Sequence, residues 1–331
     1  MKYDQEYYRN IIDRYGYKAV SDTKRVDFMR QFGERIARNV IASSNLETLD
    51  ERDKLHFITG IGMNSAPHMG TLSILLYAIE LQKRGYYVEV ILGDLDVRNA
   101  RNASWDRIKN LTSAYREFLL GLGFLSDGVH GEIHEQYSNY KNMQQAFLIS
   151  SFMHKEDFED MEEDIYDLYK EKGVYNSLTF SVQQSMMLQL ADYLTPLLEK
   201  KANRVIAFSG IDEHCFASKA NELYERLSGE KERVGSLLFK IVPGLNQVPK
   251  MSKSLALSGI SLAQDENTLL TFKEMFLKAK EDEHTAKNYQ EIMSFFVLPE
   301  GKTYEEQTEL FFYQILKLAK MWSEYENKGS N

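Results

Sequence analysis

The sequence is poor in cysteine, in long apolar runs and in net positive charge. Cys215 is the only cysteine among 331 residues, which excludes an intramolecular disulfide and a zinc site built from cysteines. No apolar run approaches the length of a membrane-spanning helix, and the polar, aromatic residues 1–6 do not resemble a signal peptide. Asp and Glu outnumber Lys and Arg by 49 to 40, which argues against a broadly basic surface but permits a local basic patch. We therefore expect a soluble, cytoplasmic enzyme with a large core.

From about residue 55 the sequence alternates between short apolar segments and longer amphipathic ones. The apolar segments predict strands at residues 56–62, 87–93, 204–209 and 237–242. Helical spacing predicts helices at about 69–84, 105–120 and 213–227. This alternation predicts an α/β fold, in which a doubly wound parallel sheet carries helices on both faces and binds ligands at the carboxyl ends of its strands.

The regions around this pattern are mainly helical in their spacing. Residues 1–54 are expected to form a helical N-terminal extension, and residues 263–331 a small helical C-terminal domain. The main domain between them, residues 55–262, should carry a helical insertion at about 127–200. Within that insertion the acidic run 156–171 is expected to be a solvated helix.

Two short segments about 180 residues apart carry the most chemical information. Residues 67–71, Pro-His-Met-Gly-Thr, open a predicted helix, whose N-terminus attracts phosphate. Gly70 allows a nucleotide to approach the backbone, and His68 can donate a hydrogen bond to a phosphate oxygen. Residues 249–254, Pro-Lys-Met-Ser-Lys-Ser, form a loop in which Lys250 and Lys253 can neutralise the charge of departing pyrophosphate. The pair predicts one ATP site, against the alternatives of a capping or core histidine and a solvated basic loop.

A third segment, residues 209–214, leaves a predicted strand and enters a helix. The Asp212 carboxylate can accept hydrogen bonds from both hydroxyls of a ribose, and Gly210 permits a close approach. The alternative for Asp212 is a helix N-cap. Cys215, just beyond this segment, is expected to be a packed residue, because no base is evidently paired with it.

These segments resemble the signatures of class I aminoacyl-tRNA synthetases. Lys250-Met251-Ser252-Lys253-Ser254 matches the second signature at all five positions, whereas Thr71 replaces the usual histidine at the end of the first. Residues 209–214 resemble the Gly-x-Asp-Gln motif of the tyrosyl and tryptophanyl branch, with Glu213 in place of Gln. The resemblance to that branch spans about residues 57–260. No anticodon-binding module is recognisable in the sequence.

The resemblance implies a Rossmann-like catalytic domain that activates an amino acid with ATP and Mg²⁺ and transfers it to the 3′ end of a tRNA. Tryptophan is the first choice of amino acid and tyrosine the second, and a homodimer is expected. The implied catalytic residues are His68, Lys250 and Lys253. The implied ATP-binding residues are Gly60, Gly62, His68, Gly70, Thr71, Gly210, Asp212, Met251, Ser252 and Lys253. The amino acid is expected to contact Gln183, Gln184, Gln189 and Asp94, and no side chain is expected to bind a metal.

Three other functions fit parts of the pattern. A relative of the synthetases could activate an amino acid for a biosynthetic acceptor other than tRNA, and a synthetase-like regulator would not catalyse at all. A small nucleotidyltransferase would share the first signature but not the lysine loop. For a tRNA partner, the best basic region is the N-terminal helix, which carries Arg25, Arg30, Arg35 and Arg38, with Arg98 and Arg101 as additions. A solvated helix face is the alternative for these arginines.

Overall fold

The computed structural model describes residues 4–46, 54–101, 103–161, 179–245, 250–251 and 259–328, apart from the side chains of Arg101 and Lys328. The strands are β1 (Lys18–Ala19), β2 (Val40–Ser44), β3 (Leu55–Gly62), β4 (Tyr87–Gly93), β5 (Gly131–Glu135), β6 (Arg204–Gly210) and β7 (Val234–Phe239). The α-helices are α1 (Gln5–Tyr15), α2 (Asp22–Phe32), α3 (Glu34–Asn39), α4 (Met69–Lys83), α5 (Asp94–Arg101), α6 (Trp105–Gly121), α7 (Tyr140–Ser150), α8 (Lys155–Glu159), α9 (Phe180–Leu198), α10 (His214–Ser228), α11 (Glu266–Lys278), α12 (Glu283–Ser294) and α13 (Tyr304–Lys328). None of the helices in these ranges has an apolar stretch long enough to cross a membrane.

The strands form one sheet in the order β1-β2-β7-β6-β3-β4-β5. The five strands from β7 to β5 are parallel, and β2 and β1 extend one edge with antiparallel pairing. From β3 the chain proceeds to β4 and β5 on one side and to β6 and β7 on the other, so the strand order reverses between β3 and β6. The predicted α/β, doubly wound fold is confirmed. In such sheets the crevice at the reversal is the favoured ligand site.

Helices cover both faces of the sheet because the central strands are apolar on both sides. Phe57 of β3 faces a core shared with α2, α4, α6 and the C-terminal helices. Its neighbour Ile58 faces a second core built mainly by α7, α9 and α10. Short polar caps begin several of these helices, with Ser21, Ser104, Thr179 and Asp265 accepting hydrogen bonds from first-turn amides.

The structure corrects the expected elements in two places. The N-terminal extension is not wholly helical, because the β-branched segment at β2 pairs with the edge of β7, with Val40 opposite Phe239. The insertion begins with the strand β5, which the sequence analysis missed. This strand is short and alternates polar Glu132 and His134 with Gly131 and Ile133, as edge strands often do.

The acidic run was expected to be solvated, but its described part is anchored to the fold. Asp157 is buried, and its carboxylate accepts hydrogen bonds from Lys219 Nζ at 3.0 Å and Arg226 Nη1 at 2.6 Å. Both cations lie on α10. The part of the run from residue 162 onward lies outside the described residues. Cys215 is buried on the same helix, as expected.

The C-terminal helices share a core with the sheet domain. Trp322 of α13 is fully buried, and its ring lies 4.9 Å from the ring of Tyr115 and 5.5 Å from that of Phe118, both on α6. Such edge-on aromatic packing contributes beyond the burial of area alone. The last helix therefore supports α6 through their shared core.

A buried carboxylate in the middle of β4 joins three neighbouring strands. Glu89 Oε2 lies 2.8 Å from His56 Nε2 on β3, and its Oε1 lies 3.0 Å from His134 Nε2 on β5. Burial by itself raises the pKa of Glu89, but the two histidines lower that pKa to about 2. Burial lowers the pKa of His134, yet Glu89 and Glu132 raise it to a net value above the ordinary one. This cluster therefore stabilises the fold most between the ordinary pKa values of 4.5 and 6.5.

We expect Glu89→Gln to lower the free energy of unfolding by about 3 kcal/mol, because the buried His56 and the half-buried His134 lose the carboxylate that compensates them. Urea denaturation measures this loss, and Glu132→Gln, at a carboxylate that is 40% exposed, should lose less than about 1 kcal/mol. The wild-type stability should also fall as the pH drops from 4.5 towards 2, since the unfolded state then takes up a proton at Glu89 that the folded state binds only near pH 2. Equal losses for the two variants would contradict this account.

Candidate active site

A cleft of about 260 Å³ opens at the reversal of strand order. The pairing of β3 with β6 extends only as far as Ile58 opposite Ala207, although β3 continues to Gly62 and β6 to Gly210. The cleft lies between these diverging ends. Nine residues predicted for ATP binding or catalysis line it together: Gly60, Gly62, His68, Gly70, Thr71, Gly210, Asp212, Lys250 and Met251.

His68 lies where α4 begins. It is the N-cap residue, and its Nδ1 accepts a hydrogen bond from the amide of Thr71 at 3.3 Å. A Cβ atom at Gly70 would come within 2.8 Å of the His68 ring, so glycine is needed for this ring position. The capping alternative is thus realised, and the cap places the imidazole and the amides of the first turn in the wall of the cleft.

The segment after the lysine loop is tied to the first signature. The Met69 amide donates to the carbonyl of Ile260 at 3.2 Å, and the Leu262 amide donates to that of Pro67 at 2.9 Å. Main-chain hydrogen bonds therefore hold the segment that follows the second signature against the first signature.

Lys250 and Asp212 join the second signature to the ribose segment. The ammonium of Lys250 donates to Asp212 Oδ2, and both side chains are largely buried. The helix-cap alternative for Asp212 is wrong, because the N-cap of α10 is Glu213, which makes no side-chain cap hydrogen bond. A Cβ atom at Gly210 would collide with the Asp212 carboxylate, which explains the glycine. Ser252 and Lys253, the other predicted loop residues, lie outside the described residues.

A second, smaller cavity of about 100 Å³ adjoins the cleft. The two share Gly60, Ile61, Gly62, Asp96 and Glu213. Apolar side chains from β4, α9 and α10 form much of its wall, and polar side chains from α9 and from the end of β5 add to it. These lining residues include Ile91, Val182, Met186, Phe216, Gln136, Ser185, Gln189 and Asp192.

Asp192 is the central polar group of this smaller cavity. It is buried, and its carboxylate accepts hydrogen bonds from Asn142 Nδ2 at 2.6 Å and Gln136 Nε2 at 3.1 Å. Burial raises the pKa of Asp192 to about 7, although the two amides oppose this rise. Gln136 Oε1 also accepts from the Asp96 amide at 3.1 Å, so one glutamine links Asp192 to the rim of the cleft. Ser185 Oγ is buried and has no hydrogen-bond partner among the described residues, which leaves one polar atom for a ligand.

The structure separates the four residues predicted to contact the amino acid. Gln189 lines the smaller cavity, and its Nε2 donates to Tyr193 Oη at 3.3 Å. Gln183 is half-buried and Gln184 is exposed, and neither lines the two cavities of the described residues. Asp94 Oδ1 accepts from the amides of Leu95 and Tyr137, a role in holding the backbone at the end of β4.

Three residues of the smaller cavity were missed by sequence reasoning: Gln136, Ser185 and Asp192. The spacing of Ser185, Gln189 and Asp192, four and then three residues apart, places all three on one face of α9. That spacing was a usable signal in the sequence. Gln136 follows the unpredicted strand β5 and gave no comparable signal.

The comparisons with known proteins agree with this geometry. The family model described as tRNA synthetases class I (W and Y) matches residues 50–320. Comparison with curated protein sequences finds no match. The fold is similar to that of tryptophanyl-tRNA synthetase from the archaeon Aeropyrum pernix K1, at 18% identity and a TM-score of 0.74, over 98% of this chain and 94% of that one.

Two further solved structures show the same fold. The tryptophanyl-tRNA synthetase of Trypanosoma brucei is 15% identical with a TM-score of 0.69, over 97% of this chain and 93% of that one. The enzyme of that name from Giardia lamblia is 17% identical with a TM-score of 0.65, over 98% and 94%. At these identities the likeness shows the fold alone, but the family model covers about four-fifths of the sequence. The chain therefore belongs to the class I tRNA synthetases of the W and Y group, which are ligases.

Proposed function

We propose that this protein activates tryptophan, or as second choice tyrosine, with ATP and transfers it to the 3′ end of a tRNA. The observation that carries the proposal is the contact between Lys250 and Asp212 in a cleft that also contains the N-terminus of α4. This contact, in a cleft that residues of both signatures line, supports one shared nucleotide site. The adjoining cavity gives the amino acid a place next to the reacting phosphate.

The geometry supports an in-line displacement. ATP would lie along His68 and Gly70, with its ribose at Asp212 and its phosphates near the first turn of α4. A carboxylate oxygen of the amino acid attacks the α-phosphorus, and the bond to pyrophosphate breaks. The protein contributes position and charge rather than a nucleophile. Ribose hydroxyls that bind Asp212 would compete with Lys250 for its carboxylate. Lys250 could then contact the phosphates, as the sequence also predicts for Lys253.

Mg²⁺ fits this cleft as a companion of the triphosphate. The carboxylates of Asp96 and Glu213 line both cavities, and with phosphate oxygens they supply the hard ligands that Mg²⁺ prefers. The ion would neutralise phosphate charge. No step of the displacement requires a proton transfer from a side chain.

The smaller cavity suits an aromatic side chain that ends in a hydrogen-bond donor. Ile91, Met186 and Phe216 give it apolar walls, while Asp192 offers carboxylate oxygens. An indole N–H or a phenol O–H could meet such an acceptor, and phenylalanine would leave it unmatched. Tryptophan is the first choice, which the names of the similar solved structures support.

The alternative function is activation of an amino acid for an acceptor other than tRNA. The hydrogen bonds, burial and ion pairs of the N-terminal arginines favour this alternative. Arg25 Nη1 donates to the main-chain carbonyl of Ala37 at 2.8 Å, and Arg38 Nε is buried inside the fold. Arg30 Nη1 lies 3.7 Å from Asp27 Oδ1, so the exposed face of α2 carries charge of both signs. The N-terminal helices therefore offer less positive charge to RNA than their sequence suggests.

Amino-acid-dependent ATP–pyrophosphate exchange tests the function directly. We expect exchange with tryptophan, or failing that tyrosine, when all proteinogenic amino acids are screened. Lys253→Ala should slow adenylation by about 10²–10³-fold, the scale of one lost donor to the transition state. Lys287→Ala, at an exposed lysine of α12, is the matched control and should exchange like wild type. Absence of exchange with any amino acid would sink the proposal.

Asp212→Asn should weaken ATP binding by about tenfold or more, because the ribose loses a charged acceptor and Lys250 loses its partner. Amino-acid binding should be nearly unchanged, since Asp212 does not line the smaller cavity. Isothermal titration with a non-hydrolysable ATP analogue and with the amino acid separates the two effects. ATP affinity equal to wild type would remove Asp212 from the nucleotide site.

The expected homodimer has a candidate interface on α7. Tyr140, Phe147 and Leu148 are 65 to 78% exposed, while Ala146 and Ile149 pack inward. No Asp or Glu occurs from residue 136 to 155. Two copies that pair through this stretch would therefore bring none of its carboxylates together, although the chain as a whole is acidic.

We expect sedimentation equilibrium to show a dimer for wild type and a monomer for Phe147→Asp, because the new charge would be buried at the interface. Tyr313→Asp, at a tyrosine of α13 that is 69% exposed, is the matched control and should remain dimeric. A dimer that tolerates Phe147→Asp would exclude this face.

A further inference from the structure

We propose that the corner between α5 and α6 is the surface on which the single-stranded 3′ end of the acceptor RNA docks. We call it the acceptor patch and define it by Arg98, Trp105, Arg107, Lys109 and Tyr137. The inference rests on the proposed function, because it takes the adjoining cleft to hold an aminoacyl-adenylate. It moves the main RNA contact away from the N-terminal helix, where the sequence had placed it.

The charge of this corner is opposite to that of the chain. Residues 97–110 contain four cations and one acid, Asp106, whereas the whole chain has a net charge of −9. Arg98, Arg107 and Lys109 are all exposed. Cations at a phosphate backbone release bound counterions, so a local cluster of this kind can attract RNA to an otherwise acidic protein.

Aromatic rings lie among these cations. The ring of Trp105 lies 4.9 Å from that of Tyr137 in an edge-on arrangement, and Tyr137 is 51% exposed. Lys109 Nζ lies 5.7 Å from the centre of the Trp105 ring. Exposed aromatic rings flanked by cations bind single-stranded nucleic acids, because bases stack on the rings while the backbone follows the positive charge.

The acceptor patch borders the cleft at three points. Arg107 Nη2 donates to the carbonyl of Asn64 at 3.3 Å, and Asn64 lines the ATP cleft. Tyr137 directly follows Gln136, which lines the smaller cavity. Arg98 follows Asp96, which lines both cavities, by two residues. A terminal ribose must reach the activated carbonyl in that cleft, so an RNA end held on this patch is beside its target.

A purely structural role is the competing explanation for two of the cations. Arg98 Nη1 donates to the carbonyl of Ala103 at 2.7 Å, and the contact of Arg107 with Asn64 is of the same kind. Such contacts would hold the turn between α5 and α6 without any ligand. Among the described residues, the side chains of Lys109 and Tyr137 make no hydrogen bond to this turn, so Tyr137→Leu, and K109Q measured beside the double variant below, distinguish the explanations.

Fluorescence anisotropy with a short, labelled single-stranded RNA ending in C-C-A, titrated at several KCl concentrations, tests the proposal. R98Q/K109Q should raise the Kd about tenfold and reduce the slope of log K against log[salt] by about 1.4, the value for two lost contacts to a single strand. Tyr137→Leu should raise the Kd about fivefold with the slope unchanged, because it removes stacking and no charge. R9Q/R30Q removes the same charge from the exposed N-terminal helices and should bind like wild type.

Thermal unfolding of each variant confirms that the proteins compared are folded. Loss of RNA binding in R9Q/R30Q but not in R98Q/K109Q would overturn the proposal in favour of the N-terminal helix. If polyglutamate competes as strongly as unlabelled RNA, the patch is a general polyanion surface. That result would also overturn the proposal. Pyrophosphate exchange by the wild-type protein is measured separately. Its absence would defeat the proposed function, whereas RNA binding that ignores the patch would defeat this inference alone.

Discussion

The short pairing between β3 and β6 is the constraint on which the site depends. The two strands are hydrogen-bonded from Leu55 opposite Arg204 to Ile58 opposite Ala207 and then diverge, each staying paired with its other neighbour. Because main-chain groups beyond Ile58 still have partners on one side, the separation opens a cleft without breaking the sheet. Apart from Lys250 and Met251 of the lysine loop, the described residues assigned to nucleotide binding lie at these diverging ends or at the start of the segments that follow them.

Electrostatics then divides the cleft into two parts. In the larger cleft, Lys250 and Asp212 form an ion pair. Under the proposed function, the charges that would face phosphate and ribose are paired with each other until a ligand competes for them. In the smaller cavity, Asp192 has only the amides of Asn142 and Gln136 as described hydrogen-bond partners. A carboxyl held by amides and raised in pKa by burial is poised between two protonation states, which suits it to recognising a neutral polar group.

Local charge and total charge give different answers about an RNA partner. The chain is acidic, and arginines of the N-terminal region serve the fold, as the hydrogen bond from Arg25 to the Ala37 carbonyl shows. The cations at the start of α6 remain exposed beside the cleft. A few well-placed cations with aromatic neighbours are enough for a single strand, whose contacts are fewer than those of a whole folded RNA.

The α/β alternation, the two signatures and the family could be predicted from the sequence, because strand apolarity, helix caps and motif residues are properties of short sequence segments. The sequence could not place β2 or β5 in the sheet, since an edge strand is defined by the neighbour it pairs with. Helical spacing could group Gln189 and Asp192 on one face of α9, but it could not show that this face lines a cavity, because the cavity is built by residues as distant as Gly60 and Phe216. Tertiary structure alone decided that Arg25 holds main-chain carbonyls and that Lys250 meets Asp212, because burial and long-range hydrogen bonding, not residue type, assign a charged side chain its partner.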